Sequence, residues 1–246
     1  MEQPFDIGIR SRDFHCIIPS DYGGWMEINW YGHSCFRLSE RGMASVVTDP
    51  YDSKTAGYEP LKLKADIVTV SHDASGHNYV QAVKGDPRVI TGAGEYEIGD
   101  VFITGIQTDG VGKKHNNEIR NTLYVFDYYG LTVAHLGDMS HVPSQTEVEA
   151  LGPVHVALVP VGSGGSLNAA KAAEVISLLE PNIVIPMHYA TPHSLPQNLE
   201  SLNKFTKEMG LNSIETLPSL KVTQSSLPQE THVYTLEYDH GKNGAA

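Results

Sequence analysis

The order of the predicted strands and helices restricts the possible folds of this chain more than any other sequence feature. Runs of β-branched and aromatic residues separated by glycine turns occupy its first half, and similar runs alternate with helical segments afterwards. The predicted strands span 26–30, 35–38, 45–48, 67–70, 101–107, 122–126, 131–134, 154–159 and 183–185. Hairpins followed by alternating strands and helices indicate an α/β layered fold.

The clearest helix prediction covers 168–179, where alanine, isoleucine and leucine recur at helical spacing on one face. Asn168 is a suitable N-cap for this helix, and Pro181 follows its last turn. Two further helices are predicted over 144–151 and 199–209. All three lie in the part of the chain where strands and helices alternate, which is consistent with helices packed on a sheet.

The domain organisation is expected to be simple. Residues 26–240 carry the strand and helix patterns and are predicted to form one domain. Residues 1–25 lack clear periodicity and are predicted to be an N-terminal arm or extension, whereas 241–246 are predicted to be a frayed tail.

Charge and composition narrow the classes of partner. The formal net charge is −12, and the only basic cluster is the short run Lys113, Lys114 and His115, so nucleic acid is disfavoured as a partner. No apolar run approaches the roughly 20 residues that cross a bilayer, and the N-terminus lacks the pattern of a signal peptide. With only two cysteines, Cys16 and Cys35, we expect a cytoplasmic protein. We also expect a small-molecule substrate and no membrane partner. Homo-oligomerisation remains open.

Histidine and aspartate follow three separate predicted strands. His72 and His77 follow the strand at 67–70, Asp138 follows 131–134, and His188 follows 183–185. Loops at strand ends collect functional side chains in α/β folds, and imidazoles with a carboxylate suit Zn, Mn or Fe. We therefore expect these four side chains to converge in one cleft.

Spacing alone leaves other interpretations open. An isolated histidine is more often a surface residue or a hydrogen-bonded core residue, and Asp138 after a glycine is also typical of a turn. The glycine-rich run at 161–166 lacks the lysine of a P-loop and is interpreted as a flexible turn. Nucleophilic catalysis by Ser34 or Cys35 is not supported, because His33 is the only base nearby and strand neighbours point to opposite faces.

Several motifs together resemble one known family. They are Trp30-Tyr31-Gly32-His33-Ser34-Cys35-Phe36, Thr48-Asp49-Pro50, Ser71-His72-Asp73, Gly94-Glu95-Tyr96-Glu97-Ile98, Asn121-Thr122, His135-Leu136-Gly137-Asp138 and Pro186-Met187-His188-Tyr189. In this order the region from Met26 to about Thr191 resembles the metallo-β-lactamase superfamily, especially the branch of predicted Zn-dependent hydrolases and sugar-phosphate lactonases. The resemblance implies an αββα sandwich, in which two mixed β-sheets are flanked by helices.

The first metal motif departs from the family pattern, which is His-x-His-x-Asp-His. His72 and His77 match its outer histidines, whereas Ala74 and Gly76 stand at the second histidine and the aspartate. A methyl group and a hydrogen atom cannot bind a metal ion. The family's next histidine is also missing, since Thr108 and Asp109 occupy that region and the following histidine is His115.

The resemblance implies two metal sites, and this chain keeps a different number of the ligands of each. The first keeps His72 and Asp138, with Asp109 as a further candidate, and the second keeps His77, Asp138 and His188. Three donors with room for water are typical of an open catalytic site. We therefore expect at most one tightly held divalent ion, with Zn as first choice and Mn or Fe as alternatives. If the loop keeps the family's shape, Ala74→His and Gly76→Asp are expected to rebuild both sites.

The implied function is a metal-dependent hydrolase of a small ester, lactone or phosphate-containing compound, in which His72 and Asp138 are catalytic. The alternative is a non-catalytic binding or scaffold protein that kept the fold and lost its metals. Among nearby residues, His33 and His135 are expected to be structural hydrogen-bonding histidines, whereas His141 is an outer-sphere candidate. Asp49 is expected either to orient a metal ligand or to support a turn.

Overall fold

The computed structural model describes residues 24–108, 120–195 and 198–240. The strands in these ranges are β1 Met26–Trp30, β2 Phe36–Ser39, β3 Val46–Thr48, β4 Leu63–Lys64, β5 Ile67–Thr69, β6 Val83–Lys84, β7 Arg88–Ile90, β8 Gly94–Ile98, β9 Val101–Thr108, β10 Asn121–Tyr128, β11 Leu131–His135, β12 Val156–Pro160, β13 Ile183–Met187, β14 Glu215–Leu217, β15 Leu220–Val222 and β16 His232–Leu236. The α-helices are α1 Ser53–Ala56, α2 Gln145–Leu151, α3 Ala169–Leu179 and α4 Leu202–Glu208.

Two large mixed sheets form the centre of the fold. The six-stranded sheet has the order β15-β1-β2-β3-β5-β7, and the eight-stranded sheet has the order β14-β16-β13-β12-β11-β10-β9-β8. Each sheet is antiparallel in one half and parallel in the other, with β3, β5 and β7 parallel in the first and β11, β12, β13 and β16 parallel in the second. A small parallel pair, β4 with β6, lies beside them.

The main core lies between the two sheets, as strand alternation requires. In β3, Val46 belongs to the large apolar cluster shared with the second sheet, whereas its neighbour Val47 packs in a smaller cluster with Tyr51. Polar contacts also cross the core, because the Tyr124 hydroxyl donates to the carbonyl of Val70 at 3.1 Å. The two sheets therefore face each other across one continuous apolar layer.

Helices α2 and α3 begin at side-chain caps, and α3 buries one apolar face in the core. In α3, Ala172, Val175 and Ile176 are buried in the main core, and the Asn168 side chain accepts a hydrogen bond from the Lys171 amide. In α2, Ser144 and Glu147 form a reciprocal capping box. The expected fold class, two mixed sheets flanked by helices, is thereby confirmed.

The differences from the predicted elements lie at the sheet edges and near the C-terminus. Besides the short pair β4 and β6, the strands that were not predicted are β7, β8, β14, β15 and β16. The charged sequence Gly-Glu-Tyr-Glu-Ile of β8 is largely exposed and carries no apolar run, so its pairing with β9 is what makes it a strand. The helix predicted at 199–209 begins only at Leu202.

Some predictions fall on residues that the structure does not describe. They concern most of the N-terminal segment 1–25, the tail 241–246, and the possible ligands Asp109 and His115. Among the described residues, no helix is both long and apolar enough to cross a membrane.

Candidate metal centre

The carboxyl ends of strands from both sheets meet at one edge of the sandwich. His72 and His77 follow β5 of the six-stranded sheet, whereas Asp138 and His188 follow β11 and β13 of the eight-stranded sheet. Asp138 lies at the centre of the group. Its Oδ2 is 3.6 Å from His72 Nε2 and 3.5 Å from His77 Nε2, and its Oδ1 is 3.3 Å from His188 Nε2. The predicted convergence of these four side chains is observed.

These separations test whether the residues fit a metal ion. Ligand atoms about 2.1 Å from a tetrahedral Zn are roughly 3.3–3.5 Å from one another, which agrees with the spacings around Asp138. They are longer than hydrogen bonds to a carboxylate, which measure roughly 2.7–2.9 Å. Asp138 Oδ1 is buried and has no hydrogen-bond partner in the described part of the chain. The donor set therefore fits a divalent cation.

Asp49 fixes the protonation of both motif histidines. The carboxylate follows β3, is fully buried, and accepts from the Ser71 amide at 2.7 Å and from the Ser71 hydroxyl at 2.6 Å. It also contacts His77 Nδ1 at 2.9 Å, so this nitrogen carries the proton. Because the Ser71 hydroxyl donates to Asp49, it accepts from His72 Nδ1 at 3.0 Å. In their neutral forms, His72 and His77 would both direct an Nε2 lone pair at the Asp138 carboxylate.

With both histidines neutral, this arrangement is repulsive unless a metal ion lies between the groups or His77 Nε2 takes up a proton. Two nitrogen lone pairs and a carboxylate oxygen have no proton to share when both histidines are neutral. Asp49, His72 and His77 also have ligand atoms within 4.8 Å of one another, which makes them a second possible metal group. We favour the group around Asp138, because the Asp49 oxygens are already hydrogen-bonded by Ser71 and His77 and are sealed from solvent.

Gly137 and Asn121 place the Asp138 backbone. Asn121 accepts from the Asp138 amide at 2.9 Å and donates to the Leu136 carbonyl at 3.0 Å, so its side chain bridges the turn. Gly137 has a φ of 56°, and a Cβ there would collide with the Asn121 Oδ1. Only glycine allows this close approach, which explains the glycine before the aspartate.

The turn after β13 holds His188 against the glycine-rich loop at 161–166. A Cβ on Gly162 would collide with the His188 carbonyl oxygen, so the two backbones can meet only at a glycine. His188 itself has a φ of 53°, a left-handed conformation that costs free energy for a non-glycine residue. The loop interpreted as a flexible turn thus packs directly against a site residue.

Burial and neighbouring charges set the protonation states in the cluster. Burial lowers the pKa of His188 and of His72, and the attraction of Asp138 does not reverse it. Burial also acts to lower the pKa of His77, yet Asp138 and Asp49 raise it above its usual value. For Asp49, burial opposes ionisation, but His135, His77 and Ser71 hold its pKa at about 2. His72 and His188 are therefore neutral near neutral pH, whereas Asp49 and Asp138 are ionised.

Three nearby histidines have different roles from one another. His135 Nδ1 accepts from the Gly137 amide and its Nε2 donates to the Ser34 carbonyl at 2.9 Å, as expected for a structural histidine. His141 contacts the Glu147 carboxylate at 3.3 Å and does not line the cleft, so the outer-sphere role is not supported. His33 lies inside the cluster, with its ring centroid 4.2 Å from that of His188.

The expectation that His33 is a hydrogen-bonding structural histidine is wrong for its side chain. His33 Nδ1 is buried and has no hydrogen-bond partner among the described residues. Candidate ligand atoms of His33, His77 and His188 lie within 4.8 Å of one another. The sequence signal for this position was weak, because His33 follows β1, far along the chain from the motif at 72–77.

Two openings lead to the cluster. A cleft of about 190 Å³ is lined by His33, His77, Asp138 and His188, and also by Gly76. A larger cleft of about 750 Å³ is lined by His72 together with Asp73, Asn78, Gln107, Arg120 and Thr122. His72 is shared by both, so the candidate metal centre opens into a cavity large enough for a small molecule.

Fold and cluster together define an αββα protein with a candidate histidine–aspartate metal centre at the edge of its two sheets. A family model described as the beta-lactamase superfamily domain matches residues 27–188, more than half of the chain. The chain therefore belongs to the metallo-β-lactamase superfamily.

Individual relatives agree with this assignment. The chain is 37% identical to a candidate Zn-dependent hydrolase of the metallo-β-lactamase superfamily from Thermotoga maritima, with a TM-score of 0.71 over 86% of this chain and 98% of the other. It is 26% identical over 217 residues to a protein of Methanopyrus kandleri named as a metal-dependent hydrolase, covering 76% of this chain and 94% of the relative. A metallo hydrolase from Ignicoccus hospitalis, 18% identical over 81% of this chain and 99% of the other, shares the fold with a TM-score of 0.61. The names of the Thermotoga maritima and Methanopyrus kandleri relatives support the expected class, a hydrolase.

Proposed function

We propose that the protein is a hydrolase that holds one divalent metal ion between His77, Asp138 and His188, with His72 assisting. The observation that carries the proposal is the approach of three imidazole Nε2 atoms to one carboxylate at 3.3–3.6 Å, spacings that fit a metal ion. Zn is the first choice for an imidazole-rich donor set, and Mn or Fe are alternatives. The relatives named as metal-dependent hydrolases support the same interpretation.

The chain's own groups have distinct roles in this proposal. A bound divalent ion would polarise the scissile oxygen and make water a better nucleophile. Asp138 would hold the ion from its central position among the three imidazoles, and Asn121 holds its backbone in place. His72 lines both clefts, and whenever its Nε2 is not bound to the ion it can accept a proton from the attacking water. His72 and Asp138 are therefore the proposed catalytic residues.

The larger cleft indicates the size and charge of the substrate. Its volume of about 750 Å³ suits a small molecule, and Arg120 at its wall supplies a positive charge. Asn78, Gln107 and Thr122 add hydrogen-bonding groups along the same wall. A small ester, lactone or phosphate-containing compound matches this lining. The net charge of −12 continues to disfavour nucleic acid. A cytoplasmic location remains a prediction, and homo-oligomerisation remains open.

Metal analysis coupled to activity tests the proposal. The full chain, purified without chelator, is expected to contain about one equivalent of divalent metal. After removal of metal, hydrolysis of p-nitrophenyl acetate, bis(p-nitrophenyl) phosphate and a simple lactone should return on adding Zn or Mn. The Asp138→Asn variant should lose both metal and activity. His232→Gln is the matched control, because His232 is exposed and begins β16, whose start pairs with the start of β13 rather than with its site end.

A non-catalytic scaffold is the competing outcome. Ala74 and Gly76 supply no donor atoms, so loss of metal binding is consistent with the chemistry of this loop. A folded parent protein that binds no divalent metal and hydrolyses none of the substrates with any metal added would reject the hydrolase and favour the scaffold.

A further inference from the structure

His33 has a buried imidazole that is not among the proposed metal ligands His72, His77, Asp138 and His188. Its ring centroid lies 4.2 Å from that of His188 and 4.8 Å from that of His77, and only 4% of the residue is exposed. Its ring lines the same small cleft as Asp138. The imidazole thus lies within the donor cluster rather than beside it.

The backbone around His33 is held rigidly in an unfavourable conformation. Its carbonyl oxygen accepts from the Trp30 indole at 3.0 Å and from the His188 amide at 3.2 Å. Its φ of 52° is left-handed, which costs free energy for any residue with a Cβ. These constraints fix the ring beside His188, yet Nδ1 gains no hydrogen bond from the described residues in return. A buried polar atom without a partner requires an explanation outside the protein's own hydrogen bonds.

Gly76 provides the space that the His33 ring occupies. A Cβ built on Gly76 would lie 3.0 Å from His33 Nε2 and 3.4 Å from its Cδ2. Gly76 does not have a positive φ, so backbone conformation does not demand glycine here. Any side chain added at position 76 would therefore press on the His33 imidazole and force it to shift. The rebuilding of both sites by Ala74→His together with Gly76→Asp stays a prediction, and in that variant the new aspartate would press on His33.

We propose that His33 is a metal ligand, and that its imidazole replaces the donor that Gly76 cannot supply. The inference rests on the metal centre of the proposed function, to which it adds a nitrogen donor beside His77 and His188. The candidate ligand atoms of these three histidines lie within 4.8 Å of one another, so small rotations of the rings would let one ion contact all three. The site lacks the two motif ligands at Ala74 and Gly76, and His33 is then an added ligand of a rearranged site.

Metal affinity and the spectrum of a bound probe ion test this role without an activity assay. Metal-free full-length protein is titrated with Zn against a chromophoric chelator, and with Co²⁺ while its visible absorption is recorded. His33→Ala should weaken Zn binding by about tenfold or more and change the Co²⁺ bands, because a nitrogen ligand is lost. The His232→Ala control should change neither. Circular dichroism of the metal-free forms confirms that folding is unchanged.

A double variant tests whether the His33 ring and a side chain at position 76 compete for one place at the metal centre. Gly76→Asp alone should weaken Zn binding, because the new side chain collides with the His33 ring. In the His33→Ala background, the same Gly76→Asp change should strengthen Zn binding, because the carboxylate gains both space and a vacant ligand position. This reversal of sign would show that the His33 ring and a carboxylate at position 76 compete for one place beside the ion. The Zn affinity and Co²⁺ spectrum of His33→Ala decide whether the ring itself is a ligand.

The outcomes separate this inference from the proposed function. If the parent binds no metal, both fail. If the parent binds Zn while a folded His33→Ala variant has unchanged affinity and an unchanged Co²⁺ spectrum, His33 is not a ligand and only the inference fails. Should His33→Ala not fold, imidazole ¹⁵N shifts of the parent decide the question. A large shift of a His33 ring nitrogen on adding Zn supports the ligand role, and an unshifted His33 resonance rejects it.

Discussion

Asp49 is a buried carboxylate that acts on the candidate metal centre through its neighbours. It holds His77 directly and His72 through the Ser71 hydroxyl, so one acidic group sets the tautomers of two histidines. Carboxylates that orient metal-binding histidines commonly affect metal affinity nearly as much as the ligands themselves. Asp49 is therefore a positioning residue in the proposed centre.

The Asp49→Asn variant tests this role. The amide introduced by the substitution would present hydrogens to the Ser71 hydroxyl and His77 Nδ1, both of which now donate to the carboxylate. Zn affinity, measured by chelator competition, should fall by about 10–100-fold. Asp52→Asn is the matched control, because Asp52 caps α1 and asparagine caps a helix equally well. Equal Zn affinity of Asp49→Asn and the parent would show that the tautomers are set by other contacts.

At the scale of the elements, the start of helix α2 is stabilised by a local cap, away from the candidate metal centre. The Glu147 carboxylate accepts from the Ser144 amide at 2.7 Å and from the Ser144 hydroxyl at 2.8 Å, and it also contacts His141. Burial alone would raise the pKa of Glu147, yet the bonds from Ser144 and the contact with His141 lower it below its usual value. Ionised Glu147 thus stabilises the start of α2.

The sign of the pH dependence follows from this lowered pKa. A carboxyl group with a lower pKa in the folded than in the unfolded state adds stability above its unfolded pKa. That contribution is lost as the pH falls through the folded pKa. Glu147→Gln should lower the free energy of unfolding by about 1 kcal/mol at neutral pH, and by less as the pH falls below about 4. Denaturant unfolding at several pH values measures this difference.

The matched control for this prediction lies on the same helix. Glu149 is exposed and has one side-chain contact, from Gln145 at 3.1 Å, so Glu149→Gln should have little effect at any pH. A loss for Glu147→Gln that is the same at acidic and neutral pH would mean that shape, rather than charge, makes the cap stable.

At the scale of the whole molecule, the proposed ion would connect the two sheets. His72 and His77 belong to one sheet edge, and Asp138 and His188 belong to the other. A ligand that binds only the folded state stabilises it by about 2.7 kcal/mol at a hundredfold excess over its Kd. For a chain of this length, that corresponds to a rise in Tm of roughly 5–10 °C.

Thermal unfolding with and without Zn checks this coupling. The parent should show the rise in Tm, whereas His188→Gln should show little of it, because a donor from the eight-stranded sheet is lost. The quantity compared is the Zn-induced shift within each variant, so a change in metal-free stability does not affect the conclusion. His232→Gln should keep the full shift. An undiminished shift in His188→Gln would place the Zn site elsewhere.

Local sequence patterns determined much of the fold. The β1 strand and the Asn168-capped helix α3 occur where alternation, helical spacing and capping predicted them, since these signals act within a few residues. The predicted meeting of the four strand-end side chains also occurs, because carboxyl ends of parallel strands share an edge. The missing donors at Ala74 and Gly76 were visible from the sequence as well.

Only the tertiary structure decided which distant residues complete the site. Asp49 reaches His77 across 28 residues, and His33 enters the cluster from the turn after β1. The exposed strand β8 and the late strands β14 and β16 likewise depend on their partners in the eight-stranded sheet. Periodicity within a segment reports which face is buried, but it does not report which segment will lie against that face. Sheet order and sheet packing decide that. They place the His33 imidazole beside Gly76, where a side chain would otherwise lie.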